Sequence, residues 1–216
     1  MITVEELFDL SHSLAGSFLQ TCVYPWCALD GIREAILRIG ATLSGAEYDT
    51  PAPDVWISRR ARVHPLATVI GPAIIGADTE VRAGALLRGS VLVGDGAVVG
   101  NATELKNAIL FDRVQVPHYN YVGDSILGYA AHLGAGAIAS NVRLDLAPVV
   151  IRYLGERVET GRKKLGALVG DGAQVGCHAV LNPGCILGRG STVRPLSCVC
   201  GGVAAGGTWH HGRALE

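Results

Sequence analysis

The sequence predicts a mostly β fold with a small helical N-terminal part: a column of stacked, three-sided coils. Three observations lead there. An aliphatic residue recurs every six positions at Ile57, Val63, Val69, Ile75, Val81, Leu87, Val93, Val99 and Leu105. The rhythm returns at Leu110, Val116 and Val122, at Leu127 and Leu133, and again from Val169 through Val175, Leu181, Leu187 and Val193 to Val199. Four places after many of these comes a small or slender residue, such as Ala61, Ala67, Ala73, Thr79, Ala85, Ala97, Ala173 or Cys185. Finally, the 216 residues include 29 Gly but only three Phe and one Met, as a narrow interior requires.

A period of six matches neither the 3.6 of a helix nor the 2.0 of a two-faced strand. It matches a short strand plus a tight corner, three of which close a coil of eighteen residues; fixed self-similarity of this kind marks a stacked architecture. The aliphatic residue points into the prism and the small residue sits near the corner. About seven such coils, spaced roughly 4.8 Å apart, predict a column on the order of 30 Å tall. The pattern resembles the hexapeptide repeat of left-handed parallel β-helices, from which the handedness is taken.

Residues 1–55 form a helical cap and linker in this reading, 56–200 the β-helix, and 201–216 a C-terminal tail. Within the cap, Thr3 and Glu6 make a capping box, and Val4, Leu7, Leu10 and Leu14 share one helical face. Tyr24-Pro25-Trp26 breaks that helix. A second begins near Asp30 with Ile32, Ile36, Leu37 and Ile39 on its apolar side, and ends before Gly45. This pair is expected over the open end or the flank of the prism, since terminal coils need a cap; partner binding is the other reading. A further interruption at about 143–165 alternates apolar and polar residues around Leu154-Gly155, predicting a protruding hairpin arm. It carries Arg152, Arg157, Arg162, Lys163 and Lys164, and both a solvated hairpin and a functional arm stay open.

A formal net charge of −1 without a basic cluster gives no electrostatic case for nucleic acid. No apolar run reaches membrane-spanning length, and acidic residues stand where a secretory leader would be basic, so a cytoplasmic location is expected. The six cysteines (Cys22, Cys27, Cys177, Cys185, Cys198, Cys200) contain no CxxC pair, so reduced thiols are expected rather than disulfides or structural zinc. The seven histidines, at 12, 64, 118, 132, 178, 210 and 211, form no convergent ligand set, and no metal is expected.

Arg88 and Lys106 lie eighteen residues apart, hence on one face of neighbouring coils. Like charges so aligned repel, which makes them candidates to bracket an anion such as phosphate. The plainer alternative is that Glu104 neutralises Lys106. Just beyond, the register shortens to five residues between Leu105 and Leu110 and again between Val122 and Leu127. Between the two slips, VPHYNYVGDS gathers aromatic residues, and His118 stands beside Pro117 and close to Tyr119 and Tyr121. Histidine is the side chain whose ordinary pKa suits proton transfer near neutrality, so His118 is a candidate base.

The segment GNATELKNAILFDRVQVPHYNYVGDSILGYAAHLGAGAIASN resembles the acetyltransferase domain of the bifunctional enzyme of UDP-N-acetylglucosamine biosynthesis, in a stand-alone form lacking the nucleotidyltransferase domain. The likeness extends over most of 70–200. It implies a homotrimer that N-acetylates an amino-sugar phosphate such as glucosamine 1-phosphate with acetyl-CoA and no metal. Residue by residue, it implies phosphate binding by Arg88 and Lys106, and a catalytic base at His118. It implies sugar contacts from Tyr121 and Asn141, and a further lysine at Lys164, with Lys163 a close competitor. His132 occupies the place of a sugar-binding asparagine in the family. Acetyl-CoA contacts fall near Ala135, Cys177 and Pro195, with Cys177 where serine is usual, and the 143–165 arm is longer than the family's loop. Two other readings stay open: an acyltransferase acting on another nucleotide-linked sugar or from a carrier protein, and a non-catalytic trimeric scaffold.

Overall fold

The structure, a computed structural model, describes residues 1–210 and the backbone of 213–215. His211 and the other residues at 212 and 216 lie outside the described residues. The chain winds into a left-handed parallel β-helix of about nine turns. This exceeds the expected seven partly because winding continues past residue 200. The stretch from 201, expected as a tail, adds strands: Gly202–Val203 pairs with Cys185–Leu187, and Thr208–His210 with Thr192–Val193. Trp209 is buried there, and burial of so large a ring explains why the segment stays on the column.

Each coil contributes to three walls. The first wall stacks Val55–Ser58, Ala73–Ile75, Val91–Val93, the second half of Glu104–Leu110, the second half of Tyr121–Leu127, Ala167–Val169, Cys185–Leu187 and Gly202–Val203. The second runs from Arg62–Val63 through Val98–Asn101, Gln115–His118 and His132–Leu133 to Thr208–His210. The third holds Thr68–Ile70, Leu86–Arg88, the first halves of Glu104–Leu110 and Tyr121–Leu127, Ile138–Ala139, Val180–Leu181 and Cys198–Val199. The two five-residue steps are explained by the strands themselves. Glu104–Leu110 and Tyr121–Leu127 run unbroken across an edge that is a full corner elsewhere, turning on Asn107 (φ 49°) and Asp124 (φ 48°).

The first wall is apolar on its outer side as well. Trp56, Ile74, Leu92, Ile109, Ile126, Leu168 and Ile186 are register neighbours, each one residue before an inward-facing aliphatic. From Ile74 onward they are at most 1 % exposed: the N-terminal part lies over the strands of Ile74, Leu92, Ile109 and Ile126, and the arm lies against the strand of Ile186. The N-terminal part therefore covers a flank, not an open end. Its first helix is shorter than expected. The capping box forms (Thr3 N–H to Glu6 Oε2 2.7 Å, Glu6 N–H to Thr3 Oγ1 3.3 Å), but the helix spans only Val4–Leu7. Asp9 and Ser13 then bond the backbone N–H groups of Ser11 and Ala15, offering the chain a local alternative to helix. Leu14 consequently turns outward while Val4 and Leu7 are buried. The helix expected from Asp30 onward forms over Ile32–Gly40, after a short helix at Gly16–Leu19, and packs on the first wall. At Gly40 a Cβ would lie 2.5 Å from the Trp56 indole, so only glycine permits that approach.

The arm forms an antiparallel hairpin, Val150–Tyr153 with Glu156–Glu159, at the edge between the third and first walls. It does not protrude. Val149, Ile151 and Tyr153 are buried, and a Cβ at Gly184 would come within 2.8 Å of Val149. The alternation read from the sequence places one apolar face of the hairpin against the coils, where its burial holds it down.

Candidate active site

Two edges of the third wall carry most of the candidate residues. Along the edge between the first and third walls lie Arg88, Lys106, Asp124 and Asn141. Arg88 Nε donates to Glu104 Oε1 at 2.7 Å, which raises the guanidinium further above its ordinary value. Lys106 Nζ donates to both oxygens of Asp124, at 3.1 and 3.3 Å. The alternative in which Glu104 neutralises Lys106 is thus corrected in its partner. Asp124, one coil on, draws the ammonium around the edge, while Glu104 reaches back to the preceding coil. Nor do the stacked cations stand unpaired. Asn107 Nδ2 and Asn141 Nδ2 also donate to Asp124, at 2.9 and 2.5 Å.

Beyond this edge opens a cleft of about 460 Å³ lined by Asp30, Asn107, Asp124, Thr160, Gly161, Arg162, Lys163 and Lys164. Three parts of the chain meet here: the N-terminal cover, the coils and the returning end of the arm. Arg162 is held by Asp30, and the exposed Lys163 and Lys164 form no ion pair among the described residues. Both competing lysines therefore line one cavity.

The opposite edge, between the second and third walls, carries His118, Ala135, Cys177 and Pro195 in successive coils. Their backbones are stitched together by Gly136 N–H to His118 O (3.0 Å), His178 N–H to Ala135 O (2.8 Å) and Leu196 N–H to Cys177 O (2.9 Å). His118 itself is exposed, and its main chain is fixed by a buried side chain, since His118 N–H donates to Asn120 Oδ1 at 3.1 Å. Asn120 Nδ2 in turn bonds the carbonyls of Gly134 and Ala137 at 2.9 and 3.0 Å.

Tyr121 joins the two edges. It begins the third wall three residues after His118, and its hydroxyl reaches the Asn141 side chain at the far edge. Burial, followed by the Glu104 and Asp124 charges, pushes its phenol above the ordinary value. His132 stands apart: it points outward from the second wall, in register with Gln115 and Gln174, and one chain alone does not bring it to the others.

Sequence reasoning passed over Asp124, Asn107 and Asn120. The signal for Asp124 was present, since it follows Lys106 by the same eighteen residues that separate Lys106 from Arg88. All six cysteines are free thiols, and among the described residues no three His, Cys, Asp or Glu side chains gather as metal ligands. No helix among those residues is long and apolar enough to cross a membrane.

In repeat architecture and sequence the chain is similar to hexapeptide-repeat acetyltransferases. The narrower resemblance is to sugar-phosphate enzymes. Residues 69–165 match the family described as GMPPB C-terminal domain. The bifunctional protein GlmU of Methanococcus maripaludis is 33% identical over 79% of this chain and 42% of its own length. A bifunctional sugar-1-phosphate nucleotidylyltransferase/acetyltransferase of Sulfurisphaera tokodaii is 32% identical over 47% of this chain and 25% of its own. The chain thus matches less than half the length of either relative. Among solved structures, a UDP-N-acetylglucosamine acyltransferase from Campylobacter jejuni aligns with a TM-score of 0.42 and 15% identity, covering 76% of this chain and 72% of that one.

Proposed function

We propose that this protein is an acyl-CoA-dependent acyltransferase that N-acetylates an amino-sugar phosphate such as glucosamine 1-phosphate, using acetyl-CoA. The observation that carries this reading is one wall with Arg88 and the Asp124-held Lys106 along one edge and His118 on the other, spanned by Tyr121. An amine attacks a thioester only when neutral. The amine enters neutral, and His118 takes a proton from its nitrogen as that nitrogen bonds to the acetyl carbon. A backbone N–H near Ala135 stabilises the tetrahedral oxyanion. Collapse breaks the carbon–sulfur bond, and the leaving thiolate takes the proton from the imidazolium, giving the amide and free coenzyme A thiol.

In this reading Arg88, Lys106 and Lys164, with Lys163 beside it, hold the phosphate, and Tyr121 and Asn141 contact the sugar. Ala135, Cys177 and Pro195 line the path of the acyl-CoA along their shared edge. His132 faces another wall and joins the site only if a neighbouring copy brings its second wall against this third wall, as a homotrimer does. The cleft of about 460 Å³ beyond Asp124 supports a second reading, an acceptor whose phosphate carries a further nucleotide.

The deciding experiment supplies acetyl-CoA with a panel of amino-sugar phosphates and nucleotide-linked amino sugars and follows thiol release. Release with glucosamine 1-phosphate supports the first reading, and release only with nucleotide-linked sugars supports the second. Silence across the panel, with no calorimetric heat for either substrate, returns the column to the role of a scaffold. His118→Ala is expected to lower turnover roughly 10²–10⁴-fold; unchanged turnover removes it from the base role.

A further inference from the structure

Resting on the acyltransferase reading above, we infer that Asp124 is a positioning residue of the acceptor site, aiming Lys106 and Asn141 at the phosphorylated amino sugar without touching it. Its side chain is only 6% exposed, and both carboxylate oxygens are already engaged. Oδ1 receives Lys106 Nζ and Asn107 Nδ2, and Oδ2 receives Asn141 Nδ2 and the longer Lys106 contact. A carboxylate so occupied offers nothing to a phosphate. It does fix what its partners can offer. An ammonium has three donors, and Lys106 keeps one free for a phosphate oxygen. Asn141, with Nδ2 shared between Asp124 and the Tyr121 hydroxyl, keeps its carbonyl for a sugar hydroxyl. Two groups of different chemistry are thereby set at one edge by a single buried charge.

Asp124 is itself clamped. Its carbonyl accepts Gly166 N–H at 2.8 Å, where the chain returns from the arm. Asn107, which bonds its carboxylate, also donates to Leu29 O of the N-terminal cover at 3.2 Å. The cover and the arm thus both bear on the orientation of the phosphate-binding lysine.

The test uses Asp124→Asn, which keeps the size of the side chain and tolerates the left-handed backbone at this position, with glucosamine 1-phosphate as the probe. The expected result is a KM for the sugar phosphate raised at least tenfold while the KM for acetyl-CoA stays within about twofold, a split that general loosening of the fold does not produce. A second variant, Asn107→Gly, leaves the charge and the backbone conformation in place and cuts the tie to the cover. It is expected to raise the same KM by a smaller factor, and it decides the matter should Asp124→Asn not fold. A folded Asp124→Asn, or failing that Asn107→Gly, with the wild-type KM for the sugar phosphate overturns the inference. Titration calorimetry with glucosamine 1-phosphate separates this failure from failure of the parent reading. Binding that the wild type shows and Asp124→Asn loses supports positioning even if no thiol is released, whereas no binding to the wild type overturns both.

Discussion

Arg162 and Asp30, 132 positions apart, are joined by two parallel hydrogen bonds of 2.7 and 2.5 Å, tying the returning end of the arm to the N-terminal cover. The Asp30 side chain is 81% exposed, so solvent screens the pair and its worth to global stability is below about 1 kcal/mol. Its effect is local. Asp30→Ala is expected to leave the melting temperature nearly unchanged while amide exchange at residues 160–164 and tryptic cleavage after Lys163 and Lys164 accelerate several-fold. Equal exchange in both proteins would show that Arg162 does not hold the lysine-bearing segment.

The outer apolar row under the cover should behave as core. Ile126 has no exposed surface, and truncating such a side chain usually costs about 2–5 kcal/mol through lost transfer energy and the cavity left behind. Ile126→Ala is expected to lower the chemical-denaturation midpoint accordingly. Ile126→Asp, which buries a charge against the cover, should in addition expose residues 1–48 to limited proteolysis while the coils persist. A cost no larger than a surface substitution would mean the cover does not seat as described.

Alkaline pH should loosen the arm. Burial, then the charge of Glu6, raises the Tyr153 phenol above its ordinary value, and burial does the same for Tyr48 and Tyr121. For a group whose folded pKa is raised, the stabilisation is fully present below the unfolded value, about 10 for tyrosine, and disappears as pH climbs through the folded value. Thermal stability is therefore expected to fall from about pH 10 upward, and less steeply in Tyr153→Phe, whose ring still packs on Gly202 but has no proton to lose. Identical alkaline slopes for the two proteins would contradict this.

The column was legible because its inward residues repeat at a spacing that no other secondary structure shares. The outer row of the first wall was equally periodic, from Trp56 to Ile186, but it read as part of the same strands. A residue one place before an inward aliphatic gives no sign of whether water or another segment faces it. The N-terminal cover failed in a different way: Val4, Leu7, Leu10 and Leu14 have helical spacing, yet Asp9 and Ser13 divert the backbone after Leu7. At the site, the Arg88 and Lys106 alignment could be counted out in eighteens. Which carboxylate each one meets could not, since Glu104 reaches Arg88 diagonally and Asp124 takes Lys106 from a strand that turns the edge without a break. The arm showed its alternation, but not which of its two faces would lie against the coils.

A prism has three sides, and this one has lined a whole side with hydrocarbon and roofed it with its own first 48 residues and the arm. The two bare sides, and the ridge where they join, are the walls left open to another copy of the chain. That ridge is the one that bears His118, so whatever approaches there approaches the imidazole too.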